Sequence, residues 1–261
     1  MIEKIVRQAG AVAAQAAQFI RKERVSFDQN VVERKGRNDL VSYVDKQSEQ
    51  LLVAGLKNIL PQAGFITEEA TIKHERKEWT WIIDPLDGTT NFVHGHPPYS
   101  VSIGLLHQDE IVGGIVYEVN RDELFMAWKG GGAYLNDEPI RVTNTHSLSD
   151  SLIATGFPVQ DFSYIDTYLK IVKDLMQDSH GLRRLGSAAT DLAYVACGRY
   201  DAYFESNLNA WDVAAGILLV QEAGGNVSDY SGGIDYLFGR QLIAGGPVHA
   251  EVLRIVKKHW A

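Results

Sequence analysis

The chain has 261 residues, 45% of them hydrophobic and 22% charged, enough to bury a sizeable core in one large domain or two closely packed lobes. Its 25 Lys and Arg against 33 Asp and Glu give a formal net charge of −8, which argues against non-specific nucleic-acid binding as the main activity. A single cysteine, Cys197, excludes an intramolecular disulfide and a four-cysteine zinc site.

The N-terminus, Met1-Ile2-Glu3-Lys4-Ile5-Val6-Arg7, carries charges where a signal peptide needs an apolar core. No run is long enough to span a membrane, so a cytoplasmic location and no membrane association are expected. Ile2, Ile5, Val6, Ala9, Val12, Ala13, Ala16 and Ile20 recur at helical spacing and predict an amphipathic helix from Ile2 to about Lys22. Its alanine stripe suits close packing. Gly36 and Asn38 then mark a turn or loop that Arg34, Lys35 and Arg37 make basic. A second helix is expected from Asp45 to Leu60, with Leu51, Leu52, Leu56 and Ile59 as its apolar face and Pro61 closing it.

Phe65-Ile66-Thr67 reads as a short strand ending on Glu68-Glu69, whose alternation sends the two acids to opposite faces. The central stretch follows: Trp81-Ile82-Ile83-Asp84-Pro85-Leu86-Asp87-Gly88-Thr89-Thr90-Asn91-Phe92. Its apolar, β-branched start reads as a buried strand. It ends abruptly on acids spaced three apart, in turns that Pro85 and Gly88 punctuate. Two carboxylates on such a turn can converge on one small volume. Gly88 lets backbone approach a ligand, and Thr89 and Thr90 add hydroxyls and the free N–H groups of a helix start. The loop thus offers carboxylates to a cation and amide donors to an oxyanion. His94 and His96 lie on an extended Pro97-Pro98 linker and read as surface residues or as neighbours of the metal ligands rather than ligands themselves, because the nearby acids already suit a hard cation.

Strands at Ser100 to Leu106, Ile111 to Tyr117 and Glu123 to Lys129 form an antiparallel meander, and Gly130-Gly131-Gly132 bends into another hairpin strand. That glycine run lacks the spacing and following helix of a nucleotide-binding loop. The polar stretch from Thr143 to Ser151 marks a boundary between two lobes, residues 1–145 and 146–261, of one unit. Beyond it come a strand at Leu152 to Thr155, a helix from Asp166 to Gln177, and a strand that turns through Gly186-Ser187 into a helix ending near Gly198. A Gly-Ser start to a helix leaves amide donors free for an anion or a substrate hydroxyl. Tyr200 to Glu205 is a strand. Asp212 sits at the N-cap or first turn of an all-round apolar, hence buried, helix from Val213 to Ala223. Capping alone would explain an aspartate there. Strands near Val227 and Leu242 to Ala244 and a helix from Val248 to Trp260 complete the chain.

The stretch from Trp81 to Phe92, together with Trp211-Asp212-Val213-Ala214-Ala215-Gly216, resembles the two signature motifs of the inositol monophosphatase family. The resemblance extends over nearly the whole chain. It implies an α+β fold, a layered αβαβα sandwich like that of fructose-1,6-bisphosphatase, and a homodimer. It implies two or three Mg²⁺ ions, with Mn²⁺ as a substitute and Li⁺ as an inhibitor. The ligands would be Glu68, Asp84, the carbonyl of Leu86, Asp87 and Asp212. An all-oxygen set also favours Mg²⁺, Mn²⁺ or Ca²⁺ over zinc on chemical grounds. Thr89 and Glu68 would orient the attacking water, and Asp45 would accept from the Thr89 hydroxyl. The Gly88 and Thr89 N–H groups would hold the phosphate. Gly186, Ser187, Ala188 and Glu205, with Asp87 and Asp212, would face the inositol hydroxyls, and Lys35 would lie in a mobile basic loop.

The expected activity is Mg²⁺-dependent hydrolysis of inositol 1-phosphate, with a small-molecule phosphate ester and no nucleic acid as partner. Rival readings are a preference for fructose 1,6-bisphosphate, histidinol phosphate or a nucleotide bisphosphate, a regulatory binding protein on a phosphatase scaffold, and a purely structural cation site. Four convergent acids plus Thr89 weigh against the last two.

Overall fold

The computed structural model describes residues 1–28, 32–36, 39–158 and 161–260, without the side chains of residues 34–36 and 39. Arg37 and Asn38 of the basic turn therefore lie outside the described residues. The backbone on either side of it is two antiparallel strands, β1 (Glu33–Gly36) and β2 (Asp39–Val41), which the sequence did not single out.

Five layers follow, α-β-α-β-α. The outer helices are α1 (Ile2–Val25) and α2 (Tyr43–Ile59). Ala9, Ala13, Ala16, Ala17 and Ile20 of α1 are fully buried against the first sheet, as the alanine stripe predicts. That sheet runs β3 (Gly64–Thr67), β4 (Trp79–Asp87), β5 (Ser100–His107), β6 (Glu110–Glu118), β7 (Glu123–Trp128), β8 (Gly132–Leu135) and β9 (Glu138–Ile140), in that order. Only β3 and β4 are parallel; the rest is the expected meander. Strand β4 passes into the short helix α3 (Thr89–His94).

The second sheet holds β10 (Leu152–Thr155), β11 (Gly181–Arg183), β12 (Ala202–Ser206), β13 (Asn226–Ser228) and β14 (Gln241–Gly245), in the order β11-β10-β12-β14-β13. Its outer face is covered by α4 (Ile165–Asp178) and α7 (His249–His259). Between the sheets lie α5 (Ala188–Ala196) and α6 (Ala210–Glu222), with β4 to β8 on one side and β12 to β14 on the other. A helix sandwiched between two sheets has no polar face to show, which is why α6 is apolar all round.

Where α6 crosses the first sheet, glycines set the distance. A Cβ on Gly104 would fall 2.6 Å from Ala214 Cβ, and one on Gly114 would fall 2.6 Å from the Ala215 carbonyl oxygen. Any side chain there would lift α6 off the sheet. Close contact brings the N-terminus of α6 to the end of β4, and so brings Asp212 towards Asp84 and Asp87. Among the described residues, no helix is long and apolar enough to cross a membrane.

Candidate active site

The first turn of α2 carries the acid predicted to support Thr89. Ser42 caps the helix, giving its N–H and its hydroxyl to Asp45 Oδ2 at 2.8 and 2.7 Å. The other oxygen, Oδ1, accepts the Thr89 hydroxyl at 2.9 Å. Thr89 Oγ1 also lies 3.1 Å from the Leu86 carbonyl. Its one hydrogen goes to the stronger acceptor, the carboxylate, which leaves the Leu86 oxygen a lone pair to offer elsewhere. Asp45 is fully buried. Burial pushes its carboxyl up, and the donors from Ser42 and Thr89 hold it back. Three donors and no acceptor around it describe a carboxylate.

Strand β4 delivers Asp84 and Asp87 through an irregularity between them, so they do not alternate as ordinary strand residues. Asp84 Oδ1 accepts from the Leu86 N–H at 3.0 Å, closing the turn around Pro85. Burial, and then the charges of Glu68, Asp87 and Asp212, push the Asp84 carboxyl well above the usual range. Asp212 is raised in the same way, by burial and then by Glu68, Asp87 and Glu205, against a restraining hydrogen bond from Asn209. Asp87 is pushed up to about 6 by burial, while donors from Ser187, Ala189 and Ala188 hold it back. Glu68 is placed at the end of β3 by its N–H, which donates to the Ile83 carbonyl on β4 at 3.1 Å.

The structure thus brings together the four predicted acids. Among the described residues, no group of three or more histidine, cysteine or acidic side chains stands in a geometry that could hold a metal ion. The acids are identified by their mutual electrostatics: Asp84 is buried and Glu68, Asp87 and Asp212 are half-buried around it, and like charges that repel each other call for a compensating cation. Donors that are carboxylate and carbonyl oxygen fit Mg²⁺ or Mn²⁺, and the residues present fit such ions.

The predicted substrate side lies across a cleft of about 190 Å³ lined by Glu68, Asp87, Arg184, Ser187, Glu205 and Asp212, among others. Ser187 is the N-cap of α5; its hydroxyl lies 2.6 Å from Asp87 Oδ2, which also accepts from the Ala189 N–H at 2.7 Å. Gly88 has φ +94°, and a Cβ on it would come within 3.2 Å of the Gly186 and Pro98 carbonyl oxygens. Only glycine lets the two loops touch. Glu205 accepts from the buried Tyr203 hydroxyl. Burial raises its carboxyl to about 7, with the Tyr203 hydrogen bond and Arg184 opposing.

Asp212 is not the N-cap of its helix. α6 begins at Ala210, three residues before the expected start, with Asn209 as N-cap. Asp212 sits in the first turn, the other of the two places expected for it, and its Oδ2 accepts the Asn209 N–H at 2.6 Å. It is the returning half of a capping box. His94 and His96 are exposed, as expected. The side chain of Lys35 is outside what is described.

Three features were not singled out from the sequence. Gly156 is one: a Cβ there would fall 1.8 Å from Glu205 Cδ, so glycine is what gives Glu205 its place. Ser48 is another, its hydroxyl donating to the Pro85 carbonyl at 2.9 Å and fixing the turn between Asp84 and Asp87. Asp191 is the third, nearly fully buried, with an Oδ1 that has no partner and a carboxyl raised well above its usual range by burial and by Glu205 and Asp87. No local pattern announces them, because the groups each one faces, Glu205 for Gly156, Pro85 for Ser48, and Glu205 and Asp87 for Asp191, come from elsewhere in the fold. A larger groove of about 760 Å³ lies beyond the far end of β5, but its charges are paired with each other, Arg76 with Asp109 and Lys129 with Glu110.

Comparison with known proteins agrees with this arrangement. The sequence profile of the inositol monophosphatase family matches residues 1–261. A protein of Neisseria meningitidis named "Putative Nus factor SuhB" is 45% identical over 249 residues, 95% of each chain. The "Inositol-1-monophosphatase" of Mesorhizobium japonicum is 44% identical over 229 residues, 87% of this chain and 86% of that one. The crystal structure of extragenic suppressor protein suhB from Bartonella henselae superposes with a TM-score of 0.90 at 41% identity, covering 98% of both chains. Relatives that carry the name Nus factor lend no support to the charge-based expectation that nucleic acid is not a partner. On the match over its whole length, this chain belongs to the inositol monophosphatase family.

Proposed function

We propose that this chain is a Mg²⁺-dependent phosphomonoesterase that hydrolyses inositol 1-phosphate or a closely related polyol phosphate. The observation that carries the reading is the set of mutually repelling carboxylates, Asp84 buried and the others half-buried, beside a threonine whose hydroxyl is given to Asp45. Glu68, Asp84, Asp87, Asp212 and the Leu86 carbonyl would hold two or three Mg²⁺, with Mn²⁺ as a substitute and Li⁺ as a competitor. Bound there, the ions supply Lewis-acid stabilisation of charge on the phosphate and the departing oxygen.

The chain's own groups do the rest. With its hydrogen committed to Asp45, Thr89 Oγ1 can only accept, so it fixes the direction in which the attacking water presents a hydrogen. Glu68 accepts the other. Oriented water facing a held phosphorus is worth several powers of ten without any covalent enzyme intermediate. The N–H groups of Gly88 and Thr89, at the start of α3, have no acceptor within the helix and would hold phosphate oxygens. Glu205 would accept from a polyol hydroxyl, next to Gly186, Ser187 and Ala188, with Asp87 and Asp212 closing the cleft. Residues 1–145 would bring the nucleophile-orienting and phosphate-holding groups, and residues 146–261 the polyol-facing ones, acting as one unit in the cytoplasm.

A homodimer is supported by the exposed Leu169 and Met176 of α4 and by β11, an edge strand. A second reading, a regulatory role with a macromolecular partner on the same scaffold, is favoured by the names of the Neisseria relative and of the Escherichia coli "Nus factor SuhB", 42% identical over 90% of this chain. Phosphate release from inositol 1-phosphate, fructose 1,6-bisphosphate, histidinol phosphate and a nucleotide bisphosphate tests the first reading. Inositol 1-phosphate is expected to have the highest kcat/KM. A higher value for any of the others would move the substrate assignment, and no release from any would remove the activity.

A further inference from the structure

We propose that Glu49 is a positioning residue for Glu68 and so sets the affinity of the site for divalent cations, an inference that rests on the phosphatase reading above. Asp45, Ser48 and Glu49 lie on one face of α2, at the three- and four-residue spacings that make helix neighbours. Each grips a different piece of the site. Asp45 holds the Thr89 hydroxyl, Ser48 holds the Pro85 carbonyl, and Glu49 holds the turn that follows Glu68.

Glu49 is fully buried, a rare state for a glutamate unless its charge is satisfied. Its Oε2 accepts the Glu69 N–H at 2.7 Å. Its Oε1 accepts the Thr71 N–H at 2.7 Å and the Thr71 hydroxyl at 2.6 Å. Between those two residues Ala70 is held at φ +50°, a conformation that a residue with a Cβ adopts only under constraint. The buried carboxylate supplies that constraint by drawing both flanking amides inward. Glu68 therefore stands between two anchors: its own N–H is fixed to β4 through Ile83, and the next N–H is fixed to α2 through Glu49.

A glutamine at this position keeps the size but not the chemistry. Only one of its two terminal atoms accepts, so its amide NH₂ must face either Glu69 N–H or the Thr71 donors. The turn at Ala70 is then free to relax and Glu68 loses one anchor. Asp84, Asp87 and Asp212 are carried by other elements and keep their places. The expected defect is thus in cation affinity.

The test is a calorimetric titration of Mg²⁺ into the full chain without substrate, set beside the Mg²⁺ dependence of phosphate release. In Glu49→Gln, Mg²⁺ affinity is expected to fall by about tenfold or more, the scale of losing a group that orients a ligand. The Mg²⁺ concentration for half-maximal turnover should rise by the same factor, and by more than kcat falls. Thr71→Val removes one donor at an exposed position, leaves the core untouched, and should weaken Mg²⁺ about threefold. It decides the matter if Glu49→Gln does not fold. Wild-type Mg²⁺ affinity in folded Glu49→Gln, or in Thr71→Val where the first variant is unfolded, overturns the proposal. So does a lowered kcat with unchanged Mg²⁺ affinity, which is what a merely structural role predicts. A wild-type chain that neither takes up Mg²⁺ nor releases phosphate overturns the phosphatase reading and this inference with it, and is distinguished by the silence of the wild type itself.

Discussion

Replacing Asp212 by asparagine separates a helix-capping aspartate from a cation ligand. Asp212 Oδ2 takes the Asn209 N–H at 2.6 Å, and an asparagine oxygen can do the same. The variant keeps size and capping and loses one negative charge. Losing charge assistance on that hydrogen bond costs about 1 kcal/mol. Against this, the substitution removes one member of a half-buried group in which Glu68, Asp87 and Glu205 all raise the Asp212 carboxyl. The two effects oppose, so the metal-free protein should melt within about 4 °C of wild type, the shift expected of ~1 kcal/mol in a chain of this size, or higher. Turnover should behave differently. If Asp212 holds an ion that stabilises the departing oxygen, the neutral amide is expected to lower kcat by about a hundredfold or more, ~2.7 kcal/mol at 1.36 kcal/mol per tenfold. Phosphate release and a metal-free melting curve on this one variant suffice. Wild-type turnover would refute the ligand assignment. Lost turnover with a collapsed melt would refute the claim that asparagine preserves the cap.

Glu205→Ala should lower turnover of inositol 1-phosphate far more than that of a simple aryl phosphate, since a carboxylate has only acceptor lone pairs to offer a polyol; equal losses would remove Glu205 from the specificity role. The same residue predicts a pH dependence. Its carboxyl is raised from 4.5 to about 7 in the fold, so the folded state binds the extra proton and metal-free stability falls as pH rises through that window. Its own share of the loss is on the order of 3 kcal/mol and complete above about pH 7. Glu205→Gln should fall less steeply by that share, keeping what the raised Asp84, Asp87 and Asp212 carboxyls contribute, and an equally steep fall in the variant's denaturant melts would contradict it. Millimolar Li⁺ should inhibit turnover by competing with Mg²⁺, which a rate series at several Mg²⁺ concentrations reads directly; complete insensitivity would place this chain outside the lithium-sensitive members.

Much of the site was legible because its chemistry is written locally. Asp84, Asp87, Gly88 and Thr89 occupy one strand end, though β4 runs on through Pro85 to Asp87 with an irregularity between the two acids and does not stop at Asp84, and Gly88 alone makes the turn into α3. The meander was legible for the same reason, each strand pairing with the next across a short turn. The parallel pairing of β3 with β4 was not, since it depends on how the loop from Glu68 to Glu78 returns, and neither was the order of the second sheet, which depends on the helices between its strands. The first-turn place of Asp212 was legible, but α6 starts at Ala210 and not at Val213, because Asn209 and Asp212 together form the cap. Gly156 beneath Glu205, Ser48 on Pro85 and Glu49 on Thr71 are contacts between residues 49, 37 and 22 positions apart. Each is an ordinary residue until the fold supplies its partner.

The measurement that bears most directly on the central claim is phosphate release from inositol 1-phosphate by the full chain, first stripped with a chelator and then given back Mg²⁺. All proposed ligands are oxygen and the acids repel one another when uncompensated. Turnover is therefore expected to vanish in the stripped protein and to return as Mg²⁺ is restored, while Asp212→Asn stays inactive under both conditions. Full turnover in the metal-free wild type would contradict the account.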